Sequence, residues 1–144
     1  GDSDAWVRLA ASEALSQLAK ATPSEAILTA LLTAAGDSER LVRSAAILAL
    51  SQLVKAGPQH AEAVLSALVT AAGDSEGSVR SAASAALSAL AQAAPQHVEA
   101  VLSALVTAAG DSEGSVRSAA RAALEKLVRV RPELNTDRVR SVLR

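Results

Sequence analysis

A Gly-Asp-Ser triplet stands at Gly1, Gly36, Gly73 and Gly110, at spacings of 35, 37 and 37 residues, and no other feature constrains the chain as strongly. A stretch that returns at such a period is a supersecondary unit that buries its apolar side only against neighbouring copies. The 144 residues therefore read as a single domain of four units, 1–35, 36–72, 73–109 and 110–144.

Each unit holds two helices. After the triplet, Val79, Ala82, Ala83, Ala86, Leu87 and Leu90 share one side at helical spacing, which predicts a long helix from Ser75 to about Ala93. Next, Val98, Val101, Leu102, Leu105, Val106 and Ala109 form the stripe of a shorter helix that buries one face. Pro23, Pro58, Pro95 and Pro132 are expected to open the short helices, where a missing N–H costs nothing. The glycine of the triplet is expected to end one helix, with Asp or Ser capping the next. The first unit is two residues shorter around Pro23–Ala26, a trimmed turn between units.

Residues 58–76, PQHAEAVLSALVTAAGDSE, return at 95–113 with one change, Ala61 to Val98. Drift scatters differences more widely, so the identity points to recent duplication or to deliberate idealisation of one unit. Phe, Tyr, Met and Cys are absent and Trp6 is the only aromatic residue, which favours the second. A core of Ala, Leu and Val without rings suits closely packed helices. No stretch has the length of a membrane span and no signal-peptide layout is present, so no membrane partner is expected and localisation is left open.

GDSEG at Gly73–Gly77 and Gly110–Gly114 fits the G-x-S-x-G elbow of serine hydrolases. That elbow needs a strand before the serine, and here a helix precedes it. His60 and His97 lie at the other end of the unit, one repeat apart, and are expected to be surface residues of a first turn. Neither a triad nor a zinc site with three or four ligands can be assembled from them. Asp74, Glu76, Asp111 and Glu113 fit a helix N-terminus through the macrodipole. No phosphate loop, H-E-x-x-H or dinucleotide fingerprint is present. The expectation is a chain that is not an enzyme, with no cofactor, metal or catalytic residue.

Proline opening one helix, then L-x-x-L, an aspartate at the turn, and V-R-x-x-A-x-x-A-L-x-x-L resembles the HEAT-repeat family. Here these are Pro95, Leu102, Leu105, Asp111, Val116, Arg117, Ala120, Ala123, Leu124 and Leu127. The resemblance spans nearly the whole chain and starts at the family's second helix, the long helix here. It implies an all-α fold, a right-handed αα superhelix of four helix-turn-helix repeats. It also implies a structural ladder between neighbouring repeats, with rungs drawn from Asp2, Arg8, Asp37, Arg43, Asp74, Arg80, Asp111 and Arg117.

In a repeated scaffold, information lies where the copies disagree. Opposite the buried side of the long helix fall the fifth, sixth, ninth, twelfth, thirteenth and sixteenth places of the unit. By resemblance this helix lines the concave side of the family. The third copy holds Gly77, Ser78, Ser81, Ser84, Ala85 and Ser88 there, and the fourth is similar but for Arg121 and Glu125. The first two copies place Trp6, Leu9 and Glu13, then Arg40, Leu41, Ile47 and Leu48, on the same face. Exposed apolar surface with Trp and Arg among it has the makeup of a binding hot spot, so these seven residues are the candidate partner site. The partner is a protein, a peptide or a second copy of the chain as a homodimer. Two alternatives stay open: Trp6 and Leu9 cover an end of the stack, or places on the helix flank are half buried between repeats. As a whole the chain is then an engineered interaction module, a natural adaptor fragment or an idealised scaffold without a partner.

Charge is uneven. Lys and Arg against Asp and Glu number 2 against 4, 3 against 3, 1 against 3 and 8 against 5 along the four units. The basic last unit reads first as the polar cap that a solenoid needs. Its mixed signs and lack of a stacking aromatic weigh against nucleic acid, and a weak nucleic-acid binder through this basic end stays as the less favoured alternative.

Overall fold

The computed structural model describes residues 4–144, and the described residues are helical throughout apart from turns. Four long helices of 17 residues each are α1 (Ala5–Ala21), α3 (Arg40–Ala56), α5 (Gly77–Ala93) and α7 (Gly114–Val130). Between and after them run the short helices α2 (Glu25–Ala34), α4 (Ala61–Ala71), α6 (Val98–Ala108) and α8 (Asp137–Leu143). The long helices stack side by side in one layer, α1 on α3 on α5 on α7, and α2, α4 and α6 form a second layer in which each bridges two long helices. This is an all-α solenoid. Its core lies between the layers and consists of Leu, Val, Ala and Ile side chains.

The ends of the helices differ from the sequence reading. No described residue has a positive φ, so Gly36, Gly73 and Gly110 do not close helices in the left-handed region. Instead the last turn tightens: the N–H of Gly73 donates to the Thr70 carbonyl at 3.0 Å and that of Asp74 to Ala71 at 3.1 Å. Nor does the triplet's Asp or Ser cap the next long helix in the inner copies. The N-caps are Glu39, Glu76 and Glu113, none with a side-chain cap bond, and Asp37, Asp74 and Asp111 instead accept the glutamate N–H at 2.8–2.9 Å. Ser75 and Ser112 thus sit in a turn between two helices, where the hydrolase elbow requires a strand.

Pro58, Pro95 and Pro132 open one-turn 3-10 segments that precede the short helices. In the trimmed first unit that segment is missing, and Ser24 caps α2 by accepting the N–H of Ile27 at 3.2 Å. The trimmed turn brings Pro23 against the second unit. A Cβ at residue 57 would stand 3.0 Å from the Pro23 Cβ, which accounts for Gly57 where the third copy carries Ala94. His60 is buried in the same contact, with Nδ1 3.6 Å from Glu25 Oε1, and is not the surface residue its first-turn position suggested.

Candidate protein-interaction surface

The turns carry the groups that tie one unit to the next. Arg8 donates to Asp37 from Nε at 2.7 Å and Nη2 at 3.2 Å; Arg43 reaches Asp74 at 2.9 and 3.0 Å, and Arg80 reaches Asp111 at 2.8 and 2.9 Å. Each is a two-pronged guanidinium–carboxylate pair, which fixes orientation as well as distance. Arg43 and Arg80 also donate to the carbonyl of the aspartate in their own turn, at 3.0 and 2.8 Å. Arg117, in the last unit, donates to the Asp111 and Ser112 carbonyls. Asp2 lies outside the described residues.

These contacts set the charge state of the turns. The Arg8 side-chain hydrogen bond holds the Asp37 carboxyl below the ordinary range, and that of Arg80 does the same for Asp111. At Asp74 burial pushes upward, but the Arg43 pair and the Glu76 N–H together outweigh it and the carboxyl is again lowered. A carboxyl lowered in the folded state stabilises the fold above its unfolded value of 3.8, and that contribution is lost as pH falls through the lower folded value. Urea midpoints are therefore expected to hold from pH 7 to 5 and to drop steeply below about 4. Asp74→Asn should flatten that drop; an unchanged slope would remove the ladder from the account of acid sensitivity.

On the outer face of the long-helix layer the structure sorts the seven sequence candidates. Trp6 is 72% exposed and Leu41 50%, and with the half-buried Leu9 they line a cleft of about 170 Å³ whose rim includes Glu39. Leu48 is 49% exposed two turns further along α3, in a broader groove of about 540 Å³ that crosses α3, α5 and α7 and is flanked by Gln52, Lys55 and Lys126. Glu13 is exposed at the place on α1 that Leu48 occupies on α3. Arg40 is exposed too, with Nη1 3.7 Å from Glu76 Oε2 in the next unit.

Ile47 is a correction: it is fully buried and belongs to the core. The twelfth place points at the neighbouring long helix and not at solvent, as Ser12 and Ser84, also buried there, make plain. The stacking of the long helices, the most extensive contact among the described residues, consumes that flank. Ser51 and Ser88, at the sixteenth place, are buried for the same reason.

The acidic first-turn residues recur in every copy, and the basic residues opposite them were passed over in sequence reading. The fourth place is acidic in every unit, Asp4, Glu39, Glu76 and Glu113, and the twentieth is Lys20, Lys55, Gln92 and Arg129. The outer face thus runs from an acidic rim at the helix N-termini to a basic rim at the C-termini, and each sign complements the helix dipole. A further omission is Val7 and Leu18, which carry exposed apolar surface although their sister residues are core.

The arginines of the last unit are largely committed to this chain. Arg121 donates to the Val142 and Leu143 carbonyls at 2.8 and 3.3 Å, which closes the C-terminus of α8. Arg131 pairs with Glu133 at 3.1 Å, Arg138 with Glu99 at 3.5 Å, and Arg140 with Asp137. Among the described residues no group of three or more His, Cys, Asp and Glu side chains is placed to hold a metal ion. Among the described residues no helix is long and apolar enough to cross a membrane.

The family model described as HEAT repeats matches residues 1–88, more than half of the chain. Among solved structures, the crystal structure of an engineered protein superposes with a TM-score of 0.68 over 99% of this chain and 72% of the other, at 17% sequence identity. At that identity the likeness is one of fold. No curated protein matches the sequence significantly.

Proposed function

The chain belongs to the HEAT-repeat family, and from that premise we propose that it is a non-catalytic interaction solenoid that grips a protein or peptide segment, a second copy included, on the outer face of α1 and α3. One observation carries this reading. Trp6 and Leu41 meet at one cleft and stand largely in solvent, where the third and fourth copies hold only Ser78 and Ser115 at the same place. A large aromatic and a leucine on an otherwise small-residue face cost solubility and add nothing to the core, so their use is in a contact. Leu48 and Arg40 extend the surface along α3 toward Lys55, and Glu13 extends it on α1. An incoming segment meets an acidic rim at one end and a basic rim at the other, so it is expected to carry the reverse polarity.

Writing the third copy into the second tests this. Arg40→Gly, Leu41→Ser and Leu48→Ala replace exposed residues with those of Gly77, Ser78 and Ala85, so the three together are expected to cost about 1–2 kcal/mol and to leave the chain folded. Light scattering over a wide concentration range should show the parent chain rising above the monomer mass and the triple variant staying at it. Equal association in both would place self-association elsewhere.

A further inference from the structure

The seventh, eleventh, fifteenth and eighteenth places hold Val, Ala, Leu and Leu in all four units. In α3, α5 and α7 all of these residues are buried, with α2, α4 and α6 respectively packed against those helices. In α1 the same stripe is open: Val7 is 47% and Leu18 53% exposed, Ala11 is exposed and Leu15 half-buried. A groove of about 210 Å³ runs along it, walled by Val7, Ala11 and Leu15 of α1 and by Ala30, Thr33 and Ala34 of α2.

The other end of the stack does not present such a stripe. There Arg121 and Glu125 stand where the inner copies bury small or aliphatic residues, and Arg121 is spent on α8. At that end a shallow groove of about 490 Å³ is ringed by the charged Glu125, Arg129, Arg140 and Arg144, whereas the α1 end is an apolar groove whose complement the molecule already displays in its interior.

We infer that this groove is a docking site for one amphipathic α-helix of the type of α4 and α6. That helix has 11 residues and carries V-L-x-x-L-x-x-A, which is Val64, Leu65, Leu68 and Ala71 in α4 and Val101, Leu102, Leu105 and Ala108 in α6. The stripe on α7 that faces α6 is Val116, Ala120, Leu124 and Leu127, residue for residue the stripe of α1. An occupant with the α6 pattern therefore meets on α1 the residues that α6 meets on α7, whereas the α5 side of the α6 packing has no counterpart in the groove. Small residues on both walls bring the helix close and leave no hollow for a ring, so aliphatic and not aromatic anchors are selected. The site opens on a different face from the Trp6–Leu41 cleft, with the buried Val42 between the two.

The probe is a synthetic peptide of residues 95–110, PQHVEAVLSALVTAAG, added to the full chain and followed by methyl and indole NMR. Saturable shifts of the Val7 and Leu18 methyls are expected, with the Trp6 indole unmoved. Far-UV ellipticity should gain beyond the sum of the parts, because so short a helix is marginal alone in water. Val7→Asp with Leu18→Glu should weaken binding about tenfold or more, since they put charge at both ends of the stripe, on its two most exposed apolar side chains. Both residues are half in solvent, so the fold is expected to survive, and thermal unfolding of the variant checks that. The Arg40→Gly, Leu41→Ser, Leu48→Ala chain should bind the peptide undiminished.

Absence of a saturable shift overturns the inference, as does equal binding by the Val7→Asp, Leu18→Glu chain or by a peptide with serine at both leucines of the stripe. Shifts of the same methyls on raising chain concentration without peptide would make a second copy the occupant and overturn it as well.

Discussion

Leu53→Ala is expected to cost about 2–5 kcal/mol of unfolding free energy, and Leu18→Ala, at the same place in the preceding unit, less than about 1 kcal/mol. The two leucines share sequence surroundings, SQLVKA and SQLAKA, so helix propensity cancels between them. What differs is cover. Leu53 is fully buried on α3, which packs against α2, whereas about half of Leu18 on α1 lies in solvent. The cost at Leu53 should fall at the upper side of that range. The chain has no Met and no Phe, so no flexible or planar side chain can swing into the cavity, and neighbouring alanines are too short to fill it. Urea midpoints of the two variants, read with a check on m-values for loss of cooperativity between repeats, measure the difference. Equal losses would mean that α1 is covered as α3 is, and would remove the basis of the end groove.

The second large effect is at the ladder. Arg43 and Asp74 keep only 14% of each side chain in solvent and join two units through two charge-assisted bonds. Asp74→Ala strands the guanidinium and also frees the Glu76 N–H, for an expected loss of about 1.5–3 kcal/mol. Combining it with Arg43→Ala in a double-mutant cycle should return a coupling of about 1 kcal/mol or more. Arg117→Ala, which removes bonds only to carbonyls of its own turn, should cost far less. A coupling near zero for Arg43 and Asp74 would mean that the apolar stacking of the long helices holds the units together without the rungs.

Much of this architecture was legible because the unit repeats. Four copies give four readings of each helix, and the stripe Val79, Ala83, Leu87 and Leu90 could be assigned to the core without structural knowledge. The helix ends were less legible. Gly73 and Asp74 look like a left-handed cap and an N-cap, but a turn this short closes more tightly by 3-10 bonds, and the aspartate faces the incoming arginine. A helical wheel assigns Ile47 to the outer face because it knows only one direction of burial. In a stack each long helix is covered by the short-helix layer and again by the long helices beside it, so the flank is core as well. His60 was misplaced because it packs beside Gly57 and reaches Glu25 of the previous unit, contacts between units that a single helix pattern does not record. Val7 and Leu18 were passed over for the opposite reason: they hold places that are core in the sister units, the pattern records what a residue can bury, and whether a neighbour is there to bury it is a fact of the third dimension.

The central claim is that recognition resides where the first two copies depart from the repeated unit. Selection of a random peptide library against the Val7→Asp, Leu18→Glu chain, in which the end groove is blocked, with each enriched peptide then measured after adding Arg40→Gly, Leu41→Ser and Leu48→Ala or Trp6→Ser, tests it directly. The account predicts peptides of reversed charge polarity whose binding is lost in both variants. Enriched peptides that bind parent and variants alike would contradict it.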